Sequence, residues 1–315
     1  MDRVKVIQVG HGHLGKWHLQ KALSSELCEV LAVVESSQKA REKLQVEYPD
    51  LNIVKSMDEA IKLGCDAYLV VTPTSSHFEL VKMALEQGQH VFCEKPLTET
   101  YQQAIELGAF VGSSIVQVGH SERCHQIWEK LRPELLASTG PFQFKIERVA
   151  PFKGRATDVD VVTDLMIHDI DLVHYLLGKR VTSVLATGHK LRTDKNDHVQ
   201  VVVELEDGSR GTLISSRNHV KEVRSLEIVS PEGMHFVDLS ALEYSFAPKG
   251  QFSDGSFVKS EPYQKRDHLA VEQESFYQSI LNGAAPMVTY SDGVGAIQVL
   301  SAVMQSLTEG RRVEL

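Results

Sequence analysis

The sequence predicts an α/β protein with a doubly wound parallel sheet at its N-terminus, followed by an α+β domain whose sheet is mainly antiparallel. A glycine-rich loop at residues 10–15 directly follows the first apolar run. Up to residue 119, short apolar runs alternate with helical patterns, which is typical of parallel strands that helices cover on both faces. Beyond residue 178, apolar runs follow one another through short turns, and such connections indicate antiparallel neighbours.

Length and charge narrow the class of protein. A chain of 315 residues predicts two domains of ~150 residues, which we expect at 1–119 and 120–315. A net charge of −9, from 33 basic and 42 acidic residues, argues against a nucleic-acid partner, because such proteins usually carry a basic face. No apolar run approaches the ~20 residues that span a bilayer, and the start is too short and too charged for a signal peptide. We therefore expect a cytoplasmic protein with no membrane partner.

The cysteine pattern agrees with a cytoplasmic location. The four cysteines lie far apart and none forms a CxxC pair: Cys28, Cys65, Cys93 and Cys124. The sequence therefore predicts free thiols rather than a zinc or thioredoxin-type site. Cys93 lies next to the candidate site described below, where we expect it to form part of a wall.

The first half contains five apolar runs separated by helical patterns. The runs predict strands at 4–9, 30–34, 67–71, 91–93 and 115–118. The apolar spacing between them predicts helices through about residue 23 and at 39–48, 77–87 and 98–111. In such a sheet, ligands bind outside the carboxyl ends of the strands.

The second half has a different pattern. Apolar residues at helical spacing predict a helix over 162–177, and strand-like runs follow at 181–187, 198–205, 210–215, 226–229 and 235–239. Residues 241–265 show no clear period and predict a long loop. Two further helices are expected at 267–282 and 291–308, with Ser291 or Asp292 as a cap of the last one.

The glycine loop has the spacing GxGxxG, in the run Gly10-His11-Gly12-His13-Leu14-Gly15. In a strand–loop–helix context this pattern predicts a Rossmann-type dinucleotide site. Gly10 permits the tight turn, Gly12 lets a pyrophosphate approach the backbone, and Gly15 lets the helix pack on the strand. The positive end of the helix favours the phosphate charge.

A carboxylate follows the second strand at the spacing that dinucleotide-binding domains use. Glu35 stands 20 residues after Gly15, where a carboxylate accepts hydrogen bonds from the ribose hydroxyls of NAD. It would repel the 2′-phosphate of NADP, and Ser36 and Ser37 follow it rather than an arginine. The sequence therefore favours NAD over NADP as the cofactor.

Two loops after later strands complete the candidate cofactor site. Thr72-Pro73-Thr74 follows the third predicted strand, and His77 opens the next helix. Glu94 and Lys95 end the fourth predicted strand, where Pro96 stops it. Lys95 has two interpretations, a solvated lysine in a loop or an ammonium group at the ligand-binding edge of the sheet. The dinucleotide loop favours the second.

A second cluster of polar residues lies in the helix predicted at 162–177. Asp164 and His168 are four residues apart and face the same side of that helix, so that the carboxylate can hold the imidazole in one tautomer, as a general base requires. A surface pair is the plain alternative. A metal site formed by Asp164, His168, Asp169 and His174 is a weaker one, because no metal-binding signature is present and no metal is expected.

Together these motifs resemble the Gfo/Idh/MocA oxidoreductase family, which includes glucose–fructose oxidoreductase and inositol dehydrogenase. The resemblance rests on GHGHLGKWH at 10–18, Glu35, TPTSSH at 72–77, EKP at 94–96 and DLMIHDID at 164–171. It implies that Lys95, Asp164 and His168 form the catalytic set and that the Lys95–Pro96 bond is cis. It also implies a homodimer or homotetramer formed through the C-terminal sheet.

A narrower resemblance concerns the substrate. The segments 118–131, 154–172 and 192–217 are similar to the subgroup that oxidises C3 of UDP-N-acetylglucosamine, with departures at Cys124, His125 and Gln126. The resemblance implies a dehydrogenase that transfers hydride from a secondary hydroxyl of a sugar or nucleotide sugar to nicotinamide. A dehydrogenase of free sugars or inositols and a non-catalytic dinucleotide-binding regulator are the alternatives. Candidate contacts to a substrate phosphate or carboxylate are Arg123, Lys153, Arg155 and Arg217.

Overall fold

The computed structural model describes residues 3–154, 157–250 and 257–315. Its chain forms two compact units. The first comprises Met1–Cys124 and Asp267–Ile297, and the second comprises His125–Arg266 and Gln298–Leu315. Within the described ranges, none of the helices combines the length and the apolar character that crossing a membrane requires.

The first unit is built on a six-stranded parallel sheet. Its strands are β1 (Val4–Val9), β2 (Cys28–Val34), β3 (Ile53–Val54), β4 (Ala67–Val70), β5 (His90–Glu94) and β6 (Val116–Gly119). They lie in the order β3-β2-β1-β4-β5-β6, which is the order of a doubly wound dinucleotide-binding sheet. This confirms the predicted N-terminal fold, although β3 is too short to have been recognised in the sequence.

Nine α-helices lie in the described part of the chain. They are α1 (Gly15–Ser24), α2 (Gln38–Glu47), α3 (Met57–Ile61), α4 (His77–Glu86), α5 (Tyr101–Val111), α6 (Trp128–Ala137), α7 (Ile167–Leu177), α8 (His268–Asn282) and α9 (Tyr290–Glu309). Several begin at capping side chains that satisfy the first free N–H groups. Thr100 forms a capping box with Gln103 at the start of α5, and Asp267 caps α8.

Helix α8 belongs to the first unit although it follows the second in sequence. Phe276 and Tyr277 on this helix are fully buried in one cluster with Val6, Leu69 and Phe92 of the parallel sheet. The sequence placed everything after residue 119 in one domain, and the structure differs for 267–297. The physical reason is the apolar face of α8, which covers sheet residues that the N-terminal helices leave unburied.

The second unit contains a nine-stranded sheet. Its strands are β7 (Gln143–Val149), β8 (Val181–His189), β9 (His198–Leu205), β10 (Arg210–Ser216), β11 (Val223–Ser230), β12 (Gly233–Asp238), β13 (Glu243–Pro248), β14 (Lys259–Pro262) and β15 (Val313–Glu314). They lie in the order β14-β13-β12-β11-β7-β10-β9-β8-β15. Every pair is antiparallel except β7 with β10, which confirms the predicted mainly antiparallel sheet.

The two faces of this sheet differ. Helix α7 buries Leu172, Val173 and Leu176 beside Phe144 and Ile146 of β7. On strands of the same sheet, other apolar side chains remain exposed: Leu185, Val202, Val229 and Met234. We call these four residues the open-face patch.

In the second half, one expectation is wrong and one is confirmed with a different local geometry. The long loop expected over 241–265 contains β13 and β14, whose polar and alternating residues carry little apolar signal because they lie at the edge of the sheet. The helix expected over 162–177 begins as a π-helical segment, Val162–Met166, before α7 continues it. The strand β7 was not predicted.

Candidate active site

The glycine loop follows β1 and leads into α1, and its three glycines are not equivalent. Gly10 has φ 95°, and a Cβ there would lie 2.5 Å from the Val71 carbonyl oxygen. A Cβ on Gly15 would lie 2.6 Å from the Gly10 carbonyl oxygen, whereas one on Gly12 would meet no atom of the protein within 4 Å. The fold therefore requires glycine at 10 and 15. At Gly12 the missing Cβ leaves open space in front of the loop, which fits a pyrophosphate.

The side chain of Gln8 holds both ends of this loop. Its amide Nε2 donates to the Gly10 carbonyl oxygen at 2.8 Å and to the Gly15 carbonyl oxygen at 2.8 Å. Gln8 is completely buried near the carboxyl end of β1. The sequence reasoning missed this residue, and the available signal was a polar side chain between the apolar residues Ile7 and Val9.

Glu35 lies at the carboxyl end of β2, beside the glycine loop. Its Oε2 accepts the His11 backbone N–H at 3.3 Å, and its Oε1 accepts that of Ser37 at 2.9 Å. Burial lowers the pKa of His11, which favours the neutral ring. His13 and Leu14 are exposed. The structure thus brings Glu35 and the loop together, and the contact of Glu35 with a ribose stays a prediction.

An arginine also lies at this site. Arg41, one turn into α2, donates from Nη1 to the carbonyl oxygens of Glu35 at 2.9 Å and Ser36 at 2.6 Å. The sequence reasoning looked only at the immediate neighbours of Glu35 and missed this residue. The first turn of α2 brings Arg41 close to Glu35 at the end of β2, although the two are six residues apart in sequence.

The loops after β4 and β5 are joined by His77. Its Nδ1 lies 2.7 Å from the Pro96 carbonyl oxygen and its Nε2 lies 2.9 Å from the Thr72 carbonyl oxygen. The ring is buried, while Pro73 is exposed and Thr74 opens a short 3₁₀ turn. His77 therefore fixes the geometry of both loops, and the cofactor contacts of His77 and of Thr72–Thr74 stay predictions.

Lys95 follows directly on β5 and is partly exposed, whereas Glu94 is buried. The Lys95 backbone N–H donates to Glu94 Oε2 at 3.1 Å. Lys95–Pro96 is a cis peptide bond, as the family resemblance implied. The ammonium group thus follows a buried carboxylate at the ligand-binding edge of the sheet.

Asp164 and His168 lie in the second unit and are both partly exposed. Asp164 belongs to the π-helical segment, and its backbone N–H donates to the Asp160 carbonyl oxygen at 3.0 Å. Segments of this kind occur frequently at functional sites. Of the residues weighed as metal ligands, Asp169 is buried in an ion pair with Arg148 at 2.8 Å.

A pocket adjoins Asp164 within the second unit and contains about 530 Å³ of empty space, part of it open to solvent. Its charged lining residues are Arg148, Lys153, Asp164, Arg217, Glu222 and Arg224. Arg148 and Arg217 each pair at 2.8 Å with a fully buried carboxylate, Asp169 and Asp197 respectively. Lys153 pairs with the more exposed Glu222 at 3.0 Å, and Arg224 lies 3.9 Å from the same carboxylate.

Two candidate phosphate contacts, Arg123 and Arg155, are not among the described lining residues of this pocket. Arg123 is buried in the first unit, where it pairs with Asp292 at 3.3 Å and donates to the Met287 carbonyl oxygen at 3.0 Å. It therefore supports the fold there. Arg155 lies outside the described residues.

The three departures from the nucleotide-sugar subgroup occur at structural positions. Cys124 is buried beside Met287, at 3.6 Å between sulfur atoms. The His125 ring packs edge-on against Trp128 at 5.9 Å between centroids. Gln126 accepts the Gln264 backbone N–H at 2.7 Å. The four cysteines are buried and form no disulfide.

Comparison with known proteins agrees with these motifs. A family model described as an oxidoreductase family with an NAD-binding Rossmann fold, GFO/IDH/MocA, matches residues 4–120, and a GFO/IDH/MocA C-terminal domain matches residues 143–235. A UDP-N-acetylglucosamine 3-dehydrogenase of Acidithiobacillus ferrooxidans is 33% identical over 311 residues, which cover 94% of each protein. This chain belongs to the GFO/IDH/MocA oxidoreductase family.

Two further comparisons cover nearly the whole of this chain. The solved structure of the Acidithiobacillus ferrooxidans enzyme superimposes with a TM-score of 0.89 at 28% identity, over 98% of this chain and 99% of that one. The scyllo-inositol 2-dehydrogenase (NAD(+)) of Bacillus subtilis is 26% identical over 341 residues, covering 99% of this chain and 96% of that protein. The predicted family is therefore confirmed. The first unit is an NAD-binding domain and the protein is an oxidoreductase.

Proposed function

We propose that this chain is an NAD-dependent dehydrogenase that oxidises a secondary hydroxyl of a nucleotide sugar, with C3 of UDP-N-acetylglucosamine as the first candidate. The observation that carries the substrate class is the pocket beside Asp164, which has four cationic side chains and two carboxylates in its lining. Such a lining suits a phosphorylated substrate better than a neutral polyol. The full-length similarity to a UDP-N-acetylglucosamine 3-dehydrogenase supports the same substrate.

Each site residue receives one role in this proposal. Bound NAD supplies the hydride acceptor. His168 takes the hydroxyl proton as general base, and Asp164 holds its ring in the required tautomer. Lys95 donates a hydrogen bond to the reacting oxygen and stabilises its developing negative charge. The glycine loop holds the pyrophosphate, and Glu35 accepts hydrogen bonds from the ribose hydroxyls. Because this carboxylate would repel the 2′-phosphate of NADP, NAD is favoured.

Two cations are the proposed contacts to the substrate diphosphate. Lys153 and Arg224 share the carboxylate of Glu222, which is 44% exposed. A diphosphate carries more charge than that carboxylate and takes its place beside both cations. Arg148 and Arg217 keep their buried partners, because removing either partner would leave an uncompensated buried charge.

Location and assembly belong to the same proposal. We infer a cytoplasmic enzyme, since all four cysteines are thiols and cytoplasmic proteins rarely keep disulfides. We also infer a homodimer or homotetramer that covers the open-face patch, because four apolar side chains on one sheet remain 38–46% exposed.

The test is a coenzyme-reduction assay. NAD-loaded protein is titrated with UDP-sugars and, separately, with free sugars and inositols, and NADH fluorescence is recorded. We expect reduction with UDP-N-acetylglucosamine. Reduction by free polyols alone would reject the nucleotide-sugar substrate in favour of an inositol-type dehydrogenase, which the Bacillus subtilis relative represents. NAD binding without reduction by any sugar would indicate the non-catalytic regulator.

Two variants test the catalytic assignment in the same assay. Lys95→Ala and His168→Asn should each lower kcat by roughly 10²–10⁴ while NAD still binds. The exposed Lys62 on the same unit provides the control Lys62→Ala, which should turn over normally. Near-normal turnover of Lys95→Ala on the true substrate contradicts the assignment.

A further inference from the structure

A buried cluster of three titratable side chains lies behind Lys95 in the first unit. It consists of His18 on α1, Glu94 at the end of β5 and Glu272 on α8, with ligand atoms all within 4.8 Å of one another. His18 Nε2 lies 2.8 Å from Glu94 Oε1. Both carboxylate oxygens of Glu272 are buried without a hydrogen-bond partner among the residues that the structure describes. No role assigned above uses His18 or Glu272.

The hydrogen bonds around His18 indicate which ring nitrogen donates and which accepts. The amide Nε2 of Gln273 donates to the His18 carbonyl oxygen at 3.1 Å and lies 2.9 Å from His18 Nδ1. The Tyr277 hydroxyl donates to Gln273 Oε1 at 3.0 Å, so the amide nitrogen must face His18. Nδ1 therefore accepts a hydrogen bond, and the ring proton is on Nε2, where it is donated to Glu94.

In this network Nε2 of His18 serves as a hydrogen-bond donor to Glu94. A cation bound to His18 would have to displace that proton. The cluster consists of two carboxyl groups that share a dry environment with the imidazole of His18.

Two carboxylates this close in the interior cannot both stay ionised, because each lacks solvent and they repel each other. Glu94 has three features that stabilise its charge: the His18 N–H, the Lys95 backbone N–H and the Lys95 ammonium group. Burial raises the pKa of Glu94, but these interactions outweigh it and the pKa lies below the usual value. In the part of the chain that the structure describes, neither carboxylate oxygen of Glu272 has such a partner.

The surroundings of Glu272 favour its protonated form. Burial, followed by the charges of Glu94 and Asp267, raises its pKa well above the usual value. The titratable groups around it are His18 of α1 and Glu94 of β5, whose ligand atoms lie within 4.8 Å, and Asp267 at the start of its own helix, which pairs with Lys21. From β6, the neutral Gln117 donates to the Glu272 backbone carbonyl.

We propose that Glu94 and Glu272 together hold one proton, on Glu272, and that the neutral acid is a positioning residue for Lys95. A protonated Glu272 lets Glu94 remain a carboxylate that binds His18 on one oxygen and the Lys95 backbone on the other. Ionisation of Glu272 would force the two carboxylates apart and disturb Lys95. This inference rests on the proposed catalytic role of Lys95.

The first test needs no activity. The infrared spectrum of the full-length protein near neutral pH should contain the carbonyl stretch of a protonated carboxylic acid, and Glu272→Gln should remove it. The matched control is Glu274→Gln, an exposed carboxylate two residues along the same helix, which should leave the band unchanged. Identical spectra for wild type and Glu272→Gln would overturn the proposal. So would a bound divalent metal that the purified wild type contains and Glu272→Gln lacks.

The second test is the pH profile of kcat. Because glutamine reproduces the neutral acid, Glu272→Gln should retain turnover within about threefold of wild type near pH 7. It should also keep that turnover at alkaline pH, where the wild type loses it. Glu272→Gln with the same alkaline fall as wild type would reject the positioning role. If no sugar is oxidised at all, the proposed function fails, and the infrared result still decides the state of the carboxyl pair.

Discussion

At the scale of single residues, a substitution at Gly12 should weaken cofactor binding without destabilising the fold. A Cβ at this position meets no protein atom within 4 Å, so Gly12→Ala should leave the melting temperature within about 2 °C of wild type. The added methyl group occupies the space that we assign to the pyrophosphate, and we expect the affinity for NAD to fall by about tenfold or more, which corresponds to about 1.4 kcal/mol. A fluorescence titration with NADH measures it.

The neighbouring glycine provides the contrast. Gly10→Ala places a Cβ 2.5 Å from the Val71 carbonyl oxygen at φ 95°, so this variant should lose stability as well as cofactor. Unchanged NAD affinity in Gly12→Ala would show that the pyrophosphate does not lie over this loop.

The raised pKa of Glu272 predicts how its contribution to the free energy of unfolding changes with pH. Its pKa is raised from 4.5 in the folded protein, so the folded state holds the proton to higher pH than the unfolded chain does. The contribution of Glu272 to stability is therefore fully present below pH ~4.5 and is lost as the pH rises towards its folded pKa, by about 1.4 kcal/mol per pH unit. Glu272→Gln lacks this loss, so its stability relative to wild type should increase as the pH rises from about 4.5 towards that folded pKa.

Urea denaturation at several pH values measures this difference in the free energy of unfolding. Glu274→Gln should show a nearly constant difference from wild type, because its carboxylate is exposed in both states. A difference for Glu272→Gln that does not change with pH would mean that Glu272 is ionised in the folded protein.

At the scale of elements, the first turn of α8 is fixed by Asp267. Its side chain accepts the Ala270 backbone N–H at 3.2 Å and forms an ion pair with Lys21. The pair is 49% exposed at Asp267, so the cap should dominate. Asp267→Ala should cost about 1 kcal/mol of unfolding free energy, whereas Asp267→Asn keeps the cap and should cost much less. Equal losses in thermal or urea denaturation would assign the effect to the ion pair.

The buried strands of the parallel sheet were predictable from sequence because each is a largely apolar run that ends in polar or glycine residues. The predicted run 4–9 coincides with β1, and 67–71 differs from β4 by one residue. Edge elements were not predictable. Strand β14 consists of exposed residues, so it has no apolar pattern, and its pairing with β13 depends on backbone bonds that any sequence can form.

The candidate site also has parts that the sequence predicts and parts that it does not. The glycine loop and Glu35 were predictable because their spacing reflects local geometry, a turn and a strand end. The network behind Lys95 was not, since it joins His18 to Gln273, 255 residues apart. Only a charged residue on the buried face of α8 could have signalled it, and sequence alone does not show which core that face enters.

At the scale of the whole molecule, the two units do not follow the order of the chain. The apolar face of α8 returns to the parallel sheet before residues 298–315 complete the second unit, and α9 begins with residues of the first unit and ends with residues of the second. The boundary between the two units, near residue 124, therefore depends on the packing of residues 267–297 with the N-terminal part of the chain.

The open-face patch predicts assembly of the whole molecule. Leu185 and Val202 are direct partners on β8 and β9 and are 44% and 46% exposed. An apolar pair at the surface of a sheet is typical of an interface between subunits. We expect wild type to be a dimer or tetramer by light scattering, and Val202→Lys to shift it towards monomer, because the ammonium group would have to be buried without a partner.

The matched control for this substitution is Val46→Lys, at an 82% exposed position on α2, which should not change the mass. Circular dichroism should show the same helix and strand content for both variants, since position 202 points away from the buried side of β9. A monomeric wild type, or a Val202→Lys protein that keeps the wild-type mass, would place the subunit interface elsewhere or exclude it. Monomeric Val202→Lys that still binds NAD would show that the dinucleotide site of the first unit is complete within one chain.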